Sequence, residues 1–422
     1  MNGGLSMVEM KSGYKMTEVG VIPEDWEVKE LSSISAIKSG KRLPKGSLVT
    51  SSKTSYPYIR VIDMNMGYLN LSNIMYVPEN VQPMISKYII SKNDIYISVA
   101  GTLGLVGKIP EELDGANLTE NANRITEIQC NRDYLMYYMM SPLIQNVIEA
   151  ERTIGAQPKL ALQRIRDFYI VLPGDNREQT AIATALSDVD SLISALTKKI
   201  EKKKAIKQGL MQQLLTGKKR LPGFNDKWKS MLLGDIAEVK DGTHQTPQYV
   251  KSGGKPFYSV ENVTADDFKN VKHISLEEHK ALTSNYRIEK GDVLMTRIGS
   301  IGCCKYVDWD VDASFYVSLA LLKINEKYDS KFISYLSNIK SFKEEVMLNS
   351  LVFAIPQKIN LGNISLIKVY IPTSKAEQTA IANILSDCDS EIAALEEKRD
   401  KYKEIKQGMM QQLLTGKIRL IK

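Results

Sequence analysis

Residues 178–221 read EQTAIATALSDVDSLISALTKKIEKKKAIKQGLMQQLLTGKKRL, and residues 377–420 read EQTAIANILSDCDSEIAALEEKRDKYKEIKQGMMQQLLTGKIRL. The two stretches align without a gap, with 31 of 44 positions identical. A period of about 200 residues is too long for a solenoid repeat, so it marks a duplicated domain. In the first copy Ile182, Leu186, Val189, Ile193, Leu196 and Ile200 alternate spacings of four and three. That is the heptad seam of a coiled coil. The second copy carries Ile381, Leu385, Cys388, Ile392 and Leu395. After a lysine-rich lapse the pattern resumes at Ile206, Leu210 and Leu214, and in the second copy at Tyr402, Ile405, Met409 and Leu413. Each copy is expected to form one long helix. Asp175 with Glu178, and Ser374 with Glu377, fit a capping box. Gly217 and Gly416 fit a glycine stop. Gly209 and Gly408 lie inside the helices at a cost of about 1 kcal/mol each, which close approach of a second helix would explain.

The segments ahead of the helices share a plan. Trp26–Leu31 is answered by Trp228–Leu233, Gly40 by Gly242, and Tyr56–Val61 by Lys255–Val260. Asp94–Gly104 is answered by Asp292–Gly302, and Ile170–Pro173 by Val369–Pro372. Short β-rich runs separated by turn residues, with a helix-like stretch near 133–151, read as mixed α/β domains. Framework positions match while the residues between them differ, so one part of the chain repeats a job and the other does two jobs on one frame. The expected segments are a leader at 1–16, a first domain at 17–174, a first helix at 175–217, a second domain at 218–373, a second helix at 374–416 and a tail at 417–422. After the first helix the chain runs on through Pro222 to Trp228; after the second it stops near Leu420, and the matching piece is Ile22–Trp26 at the other end. The two ends are therefore expected to meet. The fold class is α+β: two similar mixed α/β domains joined by two long antiparallel coiled-coil helices, with circular pseudo-twofold symmetry.

Composition narrows the function. The 422 residues carry 56 Lys plus Arg against 49 Asp plus Glu, a net charge of +7 that permits a nucleic-acid or acidic partner. No pair among the four cysteines has zinc-finger spacing, and Cys303 and Cys304 are adjacent, so a reducing cytoplasm is the expectation. No apolar run approaches the ~18 residues of a membrane span. Searches for catalysis come back empty. Gly101–Lys108 has glycines and a lysine but neither P-loop spacing nor a following Ser or Thr. No Asn-Pro-Pro-aromatic motif of amino-methyltransferases occurs. Asp25 with Glu27-Val-Lys29 suggests a nuclease Glu-x-Lys without further support. The expectation is no catalytic residue, no metal and no cofactor in this chain.

These features resemble the specificity (S) subunit of type I restriction–modification systems, from about Gly13 to Leu420. The repeats EQTAIA…LSD and IKQGxMQQLLTG are the most specific part; the YPYIR and GTLG pieces and Asp241–Pro247 look like landmarks of the family's target-recognition domains. The resemblance implies that each domain reads one half of a split double-stranded DNA target. It implies that the paired helices hold the readers apart and carry two methyltransferase (M) subunits. Those subunits would methylate adenine using S-adenosylmethionine bound in their own fold. Restriction (R) subunits, where a system has them, would bring ATP and Mg.

Base reading needs donors and acceptors that enter a groove. The first domain offers Lys38, Lys41, Arg42 and Lys45 around Gly40, then Arg60, Thr102, Lys108, Asn121, Asn123 and Arg124. The second offers Lys240, Thr243, His244, Gln245, Thr246, Gln248, Tyr249, Arg297, Ser300 and Lys305. Sequence does not sort these into phosphate anchors and base readers. The nine basic residues of Lys198–Arg220 are a solvated face, a phosphate contact or a partner surface. Met211–Gln213 and Met410–Gln412 are helix core or part of a methyltransferase interface. Two rival readings stay open: a coiled-coil adaptor holding two protein-binding domains, and a nuclease with an unrecognised site.

Overall fold

A computed structural model describes residues 12–151, 159–351 and 353–421 of the chain. The chain divides into two compact units, Met1–Leu196 with Lys398–Lys422, and Thr197–Glu397. The expected helices are Asn176–Leu214 and Lys375–Leu413, 39 residues each. Each starts in one unit and ends in the other.

In the first unit a four-stranded antiparallel sheet runs in the order Ala36–Ser39, Ala122–Thr126, Ile95–Ser98, Val106–Lys108. A second sheet is built on the parallel pair Pro57–Ile59 and Ala116–Leu118, flanked by Met75–Tyr76 and Ile89–Ile90. The second unit repeats this sheet as Ala237–Asp241, Leu319–Ile324, Val293–Thr296, Cys304–Tyr306. Its other sheet keeps the parallel pair, Lys255–Tyr258 with Ser314–Phe315, but adds Lys272–Ile274 and Tyr249–Val250 on one side only. The centre is held and the periphery changes, as the matched framework and divergent loops imply.

Gly40 and Gly242 show why the framework positions persist. A Cβ on Gly40 would collide with the carbonyl oxygens of Thr119 and Leu118; one on Gly242 would collide with the backbone of Tyr316 and Phe315. Only glycine lets the strand pass that close.

Within each unit the same joint fixes the domain to its helices. In the first unit Trp26 is fully buried and donates from Nε1 to Glu178 (3.1 Å), while Arg419 donates to both Glu178 oxygens and both Asp25 oxygens. In the second unit Trp228 and Arg220 take Glu377 in the same way. The neighbouring glutamine does the next job. Gln179 accepts from the Asn131 amide and donates to the Pro173 carbonyl; Gln378 does so with Asp329 and Pro372. The capping-box reading of Glu178 and Glu377 is therefore corrected: both are fully buried acceptors for Trp and Arg side chains. Gly217 and Gly416 do end the helices, at positive φ and against Trp228 and Trp26. The Tyr14 hydroxyl donates to the Gly416 carbonyl (2.9 Å), so the two ends of the chain do meet in the first unit.

The helix segments run antiparallel inside each unit. Asp190 faces Lys406 in the first; Lys203, Lys204 and Lys207 face Glu391, Glu396 and Asp389 in the second. Ile182 and Leu186 share a core with Met410, Leu413 and Leu414; Ile381 and Leu385 share one with Leu214 and Leu215. Leu196, Ile200 and Ile392 are buried, and Val189, Ile193, Cys388 and Leu395 half-buried. The resumed seam is corrected at two positions. Ile206 and Ile405 are 44% and 40% exposed; beside them Lys207 and Lys406 turn to Asp389 and Asp190 of the facing helix segments.

Candidate nucleic-acid interface

The joint leaves the far loops of each domain free to differ. In the first unit Lys38 stands opposite Arg124 on paired strands, and Lys41 follows Gly40 with its amide on the Leu118 carbonyl. Lys38, Lys41, Arg42, Lys45 and Thr102 are exposed. Lys38 is paired with Glu127, Arg42 with Glu120 (2.6 Å), and the Lys41 ammonium lies over the Tyr88 ring. Burial pushes the Glu120 carboxyl up, but hydrogen bonds, foremost from the Arg42 guanidinium, outweigh it and hold the group below its ordinary range.

Three expected readers in this domain are already committed or hidden. Arg60 donates from Nε and Nη2 to Asp63 (3.0 and 2.7 Å) and from Nη2 to the Asn73 carbonyl. Asn123 is 3% exposed on an inner strand of the antiparallel sheet. Arg124 lines a cleft of about 740 Å³ with Arg132, Asp94, Glu127 and Asp133, its Nε buried without a partner. Asn121 is half-buried and its carbonyl accepts from Val99. Lys108 is half-buried, 3.9 Å from Asp133.

The second domain presents a different chemistry at the same framework glycine. His244, Gln245, Thr246, Gln248 and Tyr249 are exposed, Thr243 is half-buried, and Ser300 is exposed on the turn after Gly299. His244 Nε2 lies 2.8 Å from Asp241 Oδ2. Lys240 pairs with Glu238 and covers the Tyr286 ring. Arg297 is 8% exposed and donates from Nη1 to Asp241 Oδ1 (2.5 Å), so its expected role as a base reader is corrected. Lys305 pairs with Asp266 and lines a cleft of about 750 Å³ with Lys204, Lys207 and Lys331. Lys272 lies over the Tyr249 ring at 5.0 Å. Only the pairing of Tyr249–Val250 with Lys272–Ile274 brings it there, and nothing local in the sequence signals that pairing.

The suggested nuclease residues serve other ends. Asp25 is held by Arg419, whose hydrogen bonds lower its carboxyl pKa, and Glu27 pairs with Lys29 at 2.8 Å. Among the described residues no group of three or more His, Cys, Asp or Glu is placed to hold a metal. None of the described helices is long and apolar enough to cross a membrane. Four of the nine basic residues of Lys198–Arg220 pair inside the second unit: Lys203, Lys204, Lys207 and Arg220 with Glu391, Glu396, Asp389 and Glu377.

Comparison with known proteins fits this geometry. The family model for type I restriction modification DNA specificity domains matches residues 23–208 and again 225–407. A Methanocaldococcus jannaschii chain named for the type I restriction enzyme MjaX specificity subunit is 29% identical over 443 residues, covering 97% of both chains. The MjaVIII specificity subunit of the same organism is 24% identical over 432 residues, covering 94% of both. The fold is similar to the S subunit of a type I system from M. genitalium, with a TM-score of 0.61 at 18% identity, covering 92% of this chain and 96% of that one. With both of its halves matched, the chain belongs to the type I restriction–modification DNA specificity family, as a specificity subunit and not a catalytic one.

Proposed function

We propose that this protein aims a DNA methyltransferase at a two-part target, with each domain reading one part in double-stranded DNA. The observation that carries the reading is the contrast at one framework position: Lys41 and Lys45 follow Gly40, whereas His244, Gln245 and Thr246 follow Gly242. A shared frame with unlike donors and acceptors at its tip is what two different half-sites require. The long helices serve as the common part: they set the distance between half-sites and each docks one methyltransferase subunit. S-adenosylmethionine belongs to that partner, and ATP and Mg to restriction subunits where they join.

Docking is supported by the helix surface itself. A Cβ on Gly209 or Gly408 would meet nothing within 4 Å, so no described helix of this chain accounts for either glycine. Each sits three residues after an exposed isoleucine, Ile206 or Ile405. Small and apolar positions repeated on two exposed helix faces suit an incoming helix from a second protein. The test is native mass spectrometry and DNA binding of the complex with a co-expressed type I methyltransferase subunit. Two partner chains per copy, with sequence-selective binding that weakens steeply with salt, are expected. One chain at saturation removes the symmetric docking; binding without sequence preference removes the reader function.

A further inference from the structure

The loop after Gly242 is built on a fixed base. Thr243 donates its amide to the Phe315 carbonyl (3.1 Å) and accepts at its own carbonyl from Val317 (2.9 Å). Tyr286 donates its hydroxyl to the Asp241 carbonyl. Beyond that base His244 stands with 68% of its side chain exposed. Asp241 divides its carboxylate: Oδ1 accepts from the buried Arg297, and Oδ2 meets His244 Nε2. A carboxylate only accepts, so Nε2 carries the proton and Nδ1 is the ring atom left for a ligand.

Holding an arginine nine-tenths buried is expensive, and its Nε lacks a partner here. The framework does not require this. In the first domain the residue before the framework glycine is Ser39, and the residue just after the equivalent strand is Val99. Neither side chain is charged, so that sheet closes without an ion pair between these two positions. The Arg297–Asp241 pair therefore exists for what it holds.

We propose that His244 determines specificity at one base pair of the second half-site, and that Asp241 and Arg297 are positioning residues acting through it. This rests on the DNA-reading function above. With Nε2–H committed to Asp241, Nδ1 faces outward in either charge state. As an acceptor it matches the exocyclic amino group of adenine or cytosine; as a donor it matches O6 or N7 of guanine. Without Asp241 the ring turns freely and the choice of nitrogen is lost.

The experiment uses the assembled complex with its methyltransferase on a DNA library randomised over both half-sites, reading methylation by sequencing. His244→Ala should relax preference at one position of the second half-site by roughly 10- to 100-fold, leaving the first half-site intact. Asp241→Ala should relax the same position, and the double variant should equal His244→Ala alone, because the two act as one unit. A purely structural Asp241 would instead erode every position of that half-site, and its loss would add to that of His244. An unchanged profile for the exposed His244→Ala variant overturns the proposal while the wild type's two-part preference stands. A wild type with no preference at either half-site overturns the reading function and this proposal together.

Discussion

Arg419 closes on Glu178 across 241 residues of sequence, Nε lying 2.6 Å from Oε1 and Nη2 2.7 Å from Oε2. The Glu178 side chain is fully buried and also takes the Trp26 indole N–H. A fully buried carboxylate with its cation removed is the costly half of a broken ion pair. Since Arg419 keeps 30% of its side-chain exposure, the low end of the usual cost applies. Arg419→Ala should destabilise the first unit by about 3 kcal/mol. Calorimetry should show its transition falling by roughly 6–12 °C, at about 2–4 °C per kcal/mol for a unit of this size. A shift under about 1 °C would mean that the chain ends meet without holding the fold.

The same arginine predicts an acid limb. Its hydrogen bonds lower the Asp25 carboxyl below the ordinary range. A depressed folded value means that the stabilisation is complete above the ordinary aspartate range near pH ~4 and is lost as pH falls through the folded value. Between pH ~4 and pH ~2 the wild type should lose stability faster than Arg419→Ala, which has no such bond to lose. Chemical denaturation at stepped pH measures this, and parallel curves would count against it.

The long helices, their seam and the meeting of the chain ends were legible in the sequence because they rest on periodicity and near-identity. Gly40 and Gly242 were legible as equivalents because a close backbone approach tolerates no other residue. Which of the polar candidates the fold leaves free was not. Arg60, Asn123 and Arg297 look in sequence like Lys41 or His244, since residue type does not tell whether a side chain's partners lie inside the fold. Glu178 misled in the opposite sense. Its spacing from Asp175 fits a capping box, and only the return of Arg419 from the far end of the chain reveals its partner. Ile206 continued a heptad, but it stays 44% exposed beside the Lys207–Asp389 ion pair.

Gly209 and Gly408 separate stability from assembly. With open space around each Cβ, Gly209→Ala and Gly408→Ala should each stabilise the isolated protein by up to about 1 kcal/mol, the helix propensity difference. If a partner helix packs there, the added methyl should weaken methyltransferase binding in the same variants. Thermal melts of the free chain and titration of the partner test the two halves separately. Stabilised variants with unchanged partner affinity would move the docking surface elsewhere.

Arg60→Ala should act on the fold rather than on DNA. The Asp63 carboxylate, 3% exposed, would lose two hydrogen bonds and keep only the Arg60 backbone N–H. Leaving it under-satisfied costs about 1–3 kcal/mol. The salt slope and base preference of the complex should not change, whereas a phosphate contact would lower the slope by about one unit. Binding measured across a salt series decides between them.

The spacer prediction rests on helix length. Each helix of 39 residues rises ~1.5 Å per residue, about 58 Å in all, and passes from one unit into the other. Seven residues inserted between Leu196 and Thr197, and seven more between Glu397 and Lys398, lengthen both helices by one heptad. They fall at the division between units, so Asp190–Lys406 and Lys203–Glu391 keep their registers. The addition is about 10 Å per helix, equivalent to at most about 3 base pairs. Each added pair also turns the far half-site by about 35°, so a smaller increase is favoured. Methylation mapping with the double insertion should return the same half-site bases with a longer spacer. An active variant with an unchanged spacer would show that something other than these helices sets the distance.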